Sequence, residues 1–571
     1  MRASEKWRRR LGRLALGLAL LLVAGATLEQ VGAWRDLRRF PPPGQLVDLG
    51  DGRRMYLDCR GSGSPTVLLV ACGSSKRDGF AGNTDVNGTF DDGGNFEGGE
   101  GGPGKAVRDP STCEEAFQAR TYVGCDYWPT VTANMVQDVF DFAVAVANVG
   151  TVEASVTVTG PNGVQKQAKV APGSLEKIYL PWVAELKGGA FIPLMTSVLA
   201  KGGAYHLVSD RPVVVYQFNP LEFRAKGGEP GKDWSKCQKL DLSAADCYSY
   251  SNDASLLLPS TAMTGSYRIM GSYGFSRHKN LDPSQPLEPG AAPYFVVTGT
   301  SDGTTVSVQL GPKGKVVAGG GISATPAGGT LTFSLNAGDV AEVLSGAGRE
   351  FDFSGSLLSA DKPVQVITGV PCIDFPLDVV ACDHVEETVF PAQTLGRHYV
   401  VTTPTGPKRN QVGHVVRFYG NVDGTALSYK PSQPAGCPST LAAGEVVDCG
   451  ELTTSDFEVQ GTHELGIGMF MIGASKADPD FNGSSLTLLQ GDPSQSFAVA
   501  VEHVVMPPPP EAAEPEPPPP PLPPKERLQD GGVEISVGTL FLRVVIRSGF
   551  GPAKGGCEGS AGISDGERSP R

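Results

Sequence analysis

Charge is scarce in this chain: 19% of its 571 residues are Asp, Glu, Lys or Arg. Acidic side chains outnumber basic ones 61 to 48, for a formal net charge of −13. The clustered Lys and Arg that a phosphate backbone demands are missing, which excludes nucleic acid as a general partner. The one basic cluster, Lys6 to Arg13, opens the chain. Cysteines two to four apart, the spacing of zinc sites, are missing too. Asp85, Asn87, Asp91 and Asp92 lie close together but lack the twelve-residue calcium loop and its terminal Glu, so a solvated linker is expected there. A match to the serine elbow GxSxG stands at Gly299-Thr300-Ser301-Asp302-Gly303, between the strand-like runs PYFVVT and TTVSVQL. A hairpin turn is the reading for that position. The uncharged run after the basic start, Leu14 to Leu28, falls short of the roughly 20 residues of a bilayer span. It fits the h-region of a signal peptide with Ala24-Gly25-Ala26 as cleavage site, or an uncleaved anchor, over 1–28. Either way the chain is expected to be exported.

What the chain has in excess is glycine and proline, 74 and 46 residues. That composition suits many short strands and turns. Of eleven cysteines, eight fall into four local pairs: Cys113/Cys125, Cys237/Cys247, Cys372/Cys382 and Cys437/Cys449. Local disulfides in an oxidising compartment are favoured over metal ligation, each closing a loop worth about 2–3 kcal/mol before strain. No cofactor is implied.

Between Cys113 and about 505 the patterning is β throughout, and it repeats. Three units are read at 113–220, 237–370 and 372–475. Each opens on a hairpin with glycine in its turn (Asp302-Gly303 and Asp423-Gly424 in the second and third). Each ends on an apolar strand, entered in the first two through a turn at Asp210-Arg211-Pro212 and Asp361-Lys362-Pro363. The expected fold is all-β: three repeated β-sandwich-like units with short local disulfides, flanked by disordered linkers. Those linkers are a Gly/Asp-rich tether at 73–112, a polyproline spacer at 506–524 and a tail at 525–571.

Residues 40–70, FPPPGQLVDLGDGRRMYLDCRGSGSPTVLLV, resemble the opening strands of bacterial α/β-hydrolases, and the likeness then stops. Leu69-Val70-Ala71-Cys72, followed by Gly-Ser-Ser, looks like a lipobox. Residues 29–72 are thus expected to be a hydrolase-like leader with Cys72 as a lipidation candidate, against a plain buried or free cysteine. Over about 120–505 the segments SDRPVVVYQF and DKPVQVITGVPC…ACDHVEETVFPAQTLGRHYVV resemble the N-terminal domain of the IgG Fc-binding protein family. That resemblance implies an extracellular binding module.

His384, beside Asp383, Glu386 and Glu387, has the makings of a general base or metal ligand. A loop held by charge and hydrogen bonds is the favoured alternative, since no Ser or Cys nucleophile lies nearby in sequence. Trp128, Trp182, Trp234 and Tyr248 lie near loops and cysteine pairs, as contact residues or as core caps. The chain is therefore read as a non-enzymatic, envelope-anchored binding or adhesion protein, joined to the membrane through its N-terminal segment or a lipid. Its partner would be an extracellular protein or glycoconjugate. A hydrolase related to residues 40–70 and a purely structural envelope component are the rivals.

Overall fold

The computed structural model describes residues 109–239, 247–379, 382–405, 411–478, 491 and 493–501, with the backbone of short strands in the flanking regions. Cys72, the tether up to residue 108, the polyproline spacer and the side chains of the leader and tail lie outside the described residues. The described part is β-rich and falls into three curled antiparallel sheets, each a half-barrel, built to one plan.

The plan is organised by one long strand per sheet, here called the spine: His206–Phe218, Leu357–Ile373 and Phe457–Phe470. In the second module one edge of the spine carries Tyr294–Gly299 and Thr304–Gln309, end to end. The other edge carries a lead strand, Thr264–Arg268, and a closing strand, Asp383–Thr388. Outer strands Thr330–Leu335 and Val340–Leu344 finish the sheet. The first module repeats this with lead strand Gly124–Tyr127, inner strands Phe142–Ala147 and Ala154–Gly160, outer strands Val164–Val170 and Leu175–Leu180, and closing strand Ala254–Leu256. The third has Gly396–Val401, Val415–Gly420, Thr425–Lys430, Thr440–Leu441, Val446–Asp448 and Gln495–Phe497 in the same places.

Two expectations need correction. The strand pairs read as hairpins are not paired with each other: Tyr294–Gly299 and Thr304–Gln309 both pair with the spine some sixty residues on. Their Asp-Gly link still behaves as a turn, with Gly303 and Gly424 at φ +64° and +70°, where a side chain would be strained. Likewise Asp361-Lys362-Pro363 does not begin the strand but lies inside it. Ladder pairing on the inner-strand edge runs to Ala360 and resumes at Val364. The spine crosses there from one half of the curled sheet to the other, so a residue without an N–H is tolerated.

The same irregularity recurs in all three modules and is held by a tyrosine from the lead strand. Tyr127, Tyr267 and Tyr399, all buried, donate their hydroxyls to the spine carbonyls of Val213, Val364 and Leu465 at 2.6, 2.7 and 2.6 Å. Just before the crossing, the side chains of Asp210, Asp361 and Thr462 accept from the backbone N–H of Ser155, Thr305 and Ala426. Apolar residues alternate inward along the strands and fill a core in each module, which is where the folding energy is concentrated.

The structure joins Cys113 to Cys125, Cys237 to Cys247, Cys372 to Cys382 and Cys437 to Cys449. The middle two occupy one topological position, the connection from spine to closing strand. The modules are linked through buried polar contacts. Arg417 of the third pairs with Asp352 of the second at 2.7 Å and donates to the carbonyl of Gly271 at 2.9 Å.

Candidate functional site

His384 and its acidic neighbours are not a loop. They form the closing strand of the second module, Asp383–Thr388, and every residue of it is buried. This strand faces the first module and builds a buried polar joint. Glu386 accepts from Thr132 Oγ1 (2.6 Å), Asn219 Nδ2 (2.9 Å), Ser255 Oγ (3.1 Å) and Gln217 Nε2 (3.2 Å). Burial still raises its pKa against those four donors. Glu342 accepts from the N–H of Ala133 at 2.7 Å, and burial raises its carboxyl well above the ordinary range. His384 Nε2 lies 2.9 Å from the Tyr294 hydroxyl, and burial holds the imidazole down at about 3. A neutral, solvent-free histidine bonded to a tyrosine is a packing element, not a proton shuttle in contact with substrate. Among the described residues no three His, Cys, Asp or Glu side chains gather as a metal would require.

Trp128 belongs to the same joint. It is buried and stacked on His206 (ring centroids 4.1 Å apart), with Nε1 donating to Ser260 Oγ at 3.1 Å. Its carbonyl accepts from Gln365 Nε2 of the second module at 2.8 Å.

The remaining aromatics, Trp182, Trp234 and Tyr248, are half-buried; the two tryptophans are tied to segment 134–141 through Phe140, and Tyr248 follows Cys247, which meets Gln137 of that segment. Trp182 Nε1 donates to the Phe140 carbonyl at 2.6 Å, and the Phe140 ring lies 5.3 Å from that of Trp234. Lys187 and Lys232 each stand 5.3 Å over a tryptophan ring, Trp182 and Trp234 respectively. Their charges are balanced by Asp138 and Asp141. Burial lowers the Lys187 pKa while Asp138 opposes the shift. Gln137 fastens the Cys237–Cys247 loop by donating to the Gln238 carbonyl at 2.7 Å and accepting from the Gln238 N–H at 2.8 Å. Beside that cystine Tyr248 stacks on Tyr250 and meets Phe223 edge-on, centroids 5.5 and 5.6 Å apart.

A further element attached to segment 134–141 is not singled out by composition or spacing. Phe191 donates its N–H to the Met135 carbonyl at 2.9 Å and opens an apolar tongue. Phe191, Ile192 and Met195 are 41%, 66% and 55% exposed. Three large apolar side chains left in water within five residues mark a contact surface. Phe191 also stands at φ +61° in the turn bridged by Gly189 and Ile192, and Tyr250 at φ +63°. In the second module a bridge of the same span, Gly319–Ile322, uses Gly320 and Gly321 for its left-handed positions and buries its isoleucine to 3%. The turn thus has a relaxed solution that the first module does not use; strain without a folding reason is a mark of function. The signal available in sequence was FIPLM after a Gly-Gly pair, legible only once the tongue is known to protrude.

With the geometry in place, comparison with known proteins gives one finding. Residues 253–507 match the family model described as IgGFc binding protein. The match covers the second and third modules and the closing strand of the first, and it indicates a binding role. It reaches neither residues 40–72, where a hydrolase-like leader and a lipidated Cys72 were read, nor the aromatic face of the first module. No curated protein and no solved structure matches the chain. The disulfides point to an extracellular or secreted protein. No helix among the described residues is long and apolar enough to cross a membrane.

Proposed function

We propose that the chain is an exported, non-enzymatic binding protein that grips an extracellular protein through the aromatic face of its first module. The second and third modules, the part that matches the family, form the scaffold behind it. The carrying observation is the Phe191–Met195 tongue, three exposed apolar side chains on a backbone tied to Met135, in the same 134–141 segment that holds Trp182 and Trp234. Large aromatics and Met are the residue types that concentrate energy at protein interfaces. The family description supports a protein ligand over a glycan, and it makes the Fc part of IgG the first ligand to try. The leader over 1–72, with its membrane segment or lipid on Cys72, and the Gly/Asp-rich tether at 73–112 fit presentation of this face away from a cell envelope.

The test is the triple variant Phe191→Gly, Ile192→Ser, Met195→Ser in the full chain. Glycine relieves the left-handed strain at 191, so the fold is expected to hold or gain up to about 1 kcal/mol. Saturable binding to immobilised Fc, or to another purified extracellular protein, is expected to weaken by at least about tenfold, the usual loss when interface anchors are truncated. Unchanged binding by a well-folded triple variant would remove the first module from the interface.

A further inference from the structure

We propose that the outer strand Thr330–Leu335 of the second module is a self-association edge, through which two copies of this chain pair antiparallel about a two-fold centred on Thr332. This surface is separate from the aromatic face and does not depend on the reading given for it.

Six outer strands flank the inner strands of the three modules, and an open strand edge attracts other strands unless it is guarded. Val164–Val170 carries Lys166 and Lys169, paired with Glu229 and Glu153. Leu175–Leu180 carries Glu176 and Lys177. Val340–Leu344 is covered by Val198–Ala200. In the third module Thr440–Leu441 and Val446–Asp448 have only 2 and 3 residues. Thr330–Leu335, with sequence TLTFSL, is six residues long, uncharged and free of proline, and among the described residues no strand pairs with its outer side.

The ladder shows which groups point out. Leu310 N–H donates to the Gly329 carbonyl at 2.9 Å, and the register runs from Gln309↔Thr330 to Thr304↔Leu335. Hydrogen-bonding direction alternates along an antiparallel strand. Residues 331, 333 and 335 therefore turn their backbone groups inward, while Thr330, Thr332 and Ser334 turn theirs to solvent. The side chains alternate as well: Leu331, Phe333 and Leu335 are buried, and the three hydroxyl residues are exposed.

A second copy fits this edge without adjustment. With Thr332 facing its own counterpart, Thr330 faces Ser334 on each side. Three residue pairs, each exchanging two bonds, give about six N–H···O=C bonds. Hydroxyl residues then oppose hydroxyl residues on the wet side, and Leu331 meets Phe333 of the second copy on the core side. A slip of one residue would place hydroxyls over the core, so the register is fixed. No like charges face each other, and a two-fold pairing consumes both edges and closes the assembly.

The experiment is sedimentation of the full chain across the micromolar range, with Thr332→Lys, Thr332→Pro and Gln167→Lys compared. Thr332→Lys sets two ammonium groups opposite each other; Thr332→Pro removes the outward N–H and fixes φ, while the inward ladder bonds of Leu331 and Phe333 remain. The wild type and Gln167→Lys, which adds charge to the already guarded edge of the first module, are expected to be dimers. Both Thr332 variants are expected to be monomers, with the melting temperature that the wild type shows once diluted to monomer. Amides 330, 332 and 334 should gain hydrogen-exchange protection as concentration rises. A monomeric wild type overturns the proposal, as does a Thr332→Lys protein that dimerises like wild type. Protection of those amides independent of concentration also overturns it, because a segment of the same chain would then occupy the edge.

Discussion

Removing the hydroxyl of the lead-strand tyrosines tests the repeated architecture directly. In Tyr267→Phe the Val364 carbonyl loses its 2.7 Å donor and the Thr264 N–H loses its 3.1 Å acceptor. In Tyr399→Phe the Leu465 carbonyl and the Gly396 N–H lose theirs, at 2.6 and 3.0 Å. Tyr127 differs, because its hydroxyl faces two carbonyls, Val213 at 2.6 Å and Tyr122 at 2.9 Å, and its single proton serves one at a time. A buried polar group left unpaired costs about 1–3 kcal/mol. Two orphaned groups thus put Tyr267→Phe and Tyr399→Phe at roughly 2–6 kcal/mol, and one places Tyr127→Phe at roughly 1–3 kcal/mol. The rings stay in place, so no cavity term is added. Urea unfolding of the full chain, followed by tryptophan fluorescence, reads the three costs from midpoints at constant slope. A cost below about 0.5 kcal/mol at Tyr267 or Tyr399 would refute the reasoning, since it is less than one net hydrogen bond. So would a reversed order with Tyr127→Phe the most damaging.

Two further outcomes follow from the joints between modules. Glu342 keeps its proton in the folded protein after the unfolded carboxyl, at 4.5, has lost it, so its contribution to stability is complete below that pH and declines as pH rises. Glu342→Gln does not titrate; its stability advantage over wild type should be absent below 4.5 and grow as pH rises above it, and an advantage that is flat in pH would contradict this. Arg417→Met leaves Asp352, buried at 4% exposure, without its partner at 2.7 Å. A loss of about 3–5 kcal/mol in thermal or urea unfolding is expected for a broken buried pair, and a loss under about 1 kcal/mol would show that Asp352 finds water instead.

The sequence alone determined the strand content, the three-fold repetition, the local cysteine pairs and the binding-module resemblance of the central region. Each is written in short-range information: alternation of period two, turn residues, and cysteines ten or twelve apart. It could not determine which strand pairs with which. The run Tyr294–Gln309 alternates the same way whether its halves pair with each other or with a spine at Leu357–Ile373, because side-chain period reports a buried face and not a backbone partner. His384 stayed open for a related reason. DHVEET has the composition of a reactive loop, and only the packing of two modules shows that its carboxyl groups and imidazole are sealed from solvent. The exposed tongue and the open edge belong wholly to the tertiary structure. Phe191, Ile192 and Met195 would be ordinary core residues in any chain that covered them, and TLTFSL an ordinary strand. What sets them apart is the surface left uncovered once everything else has packed.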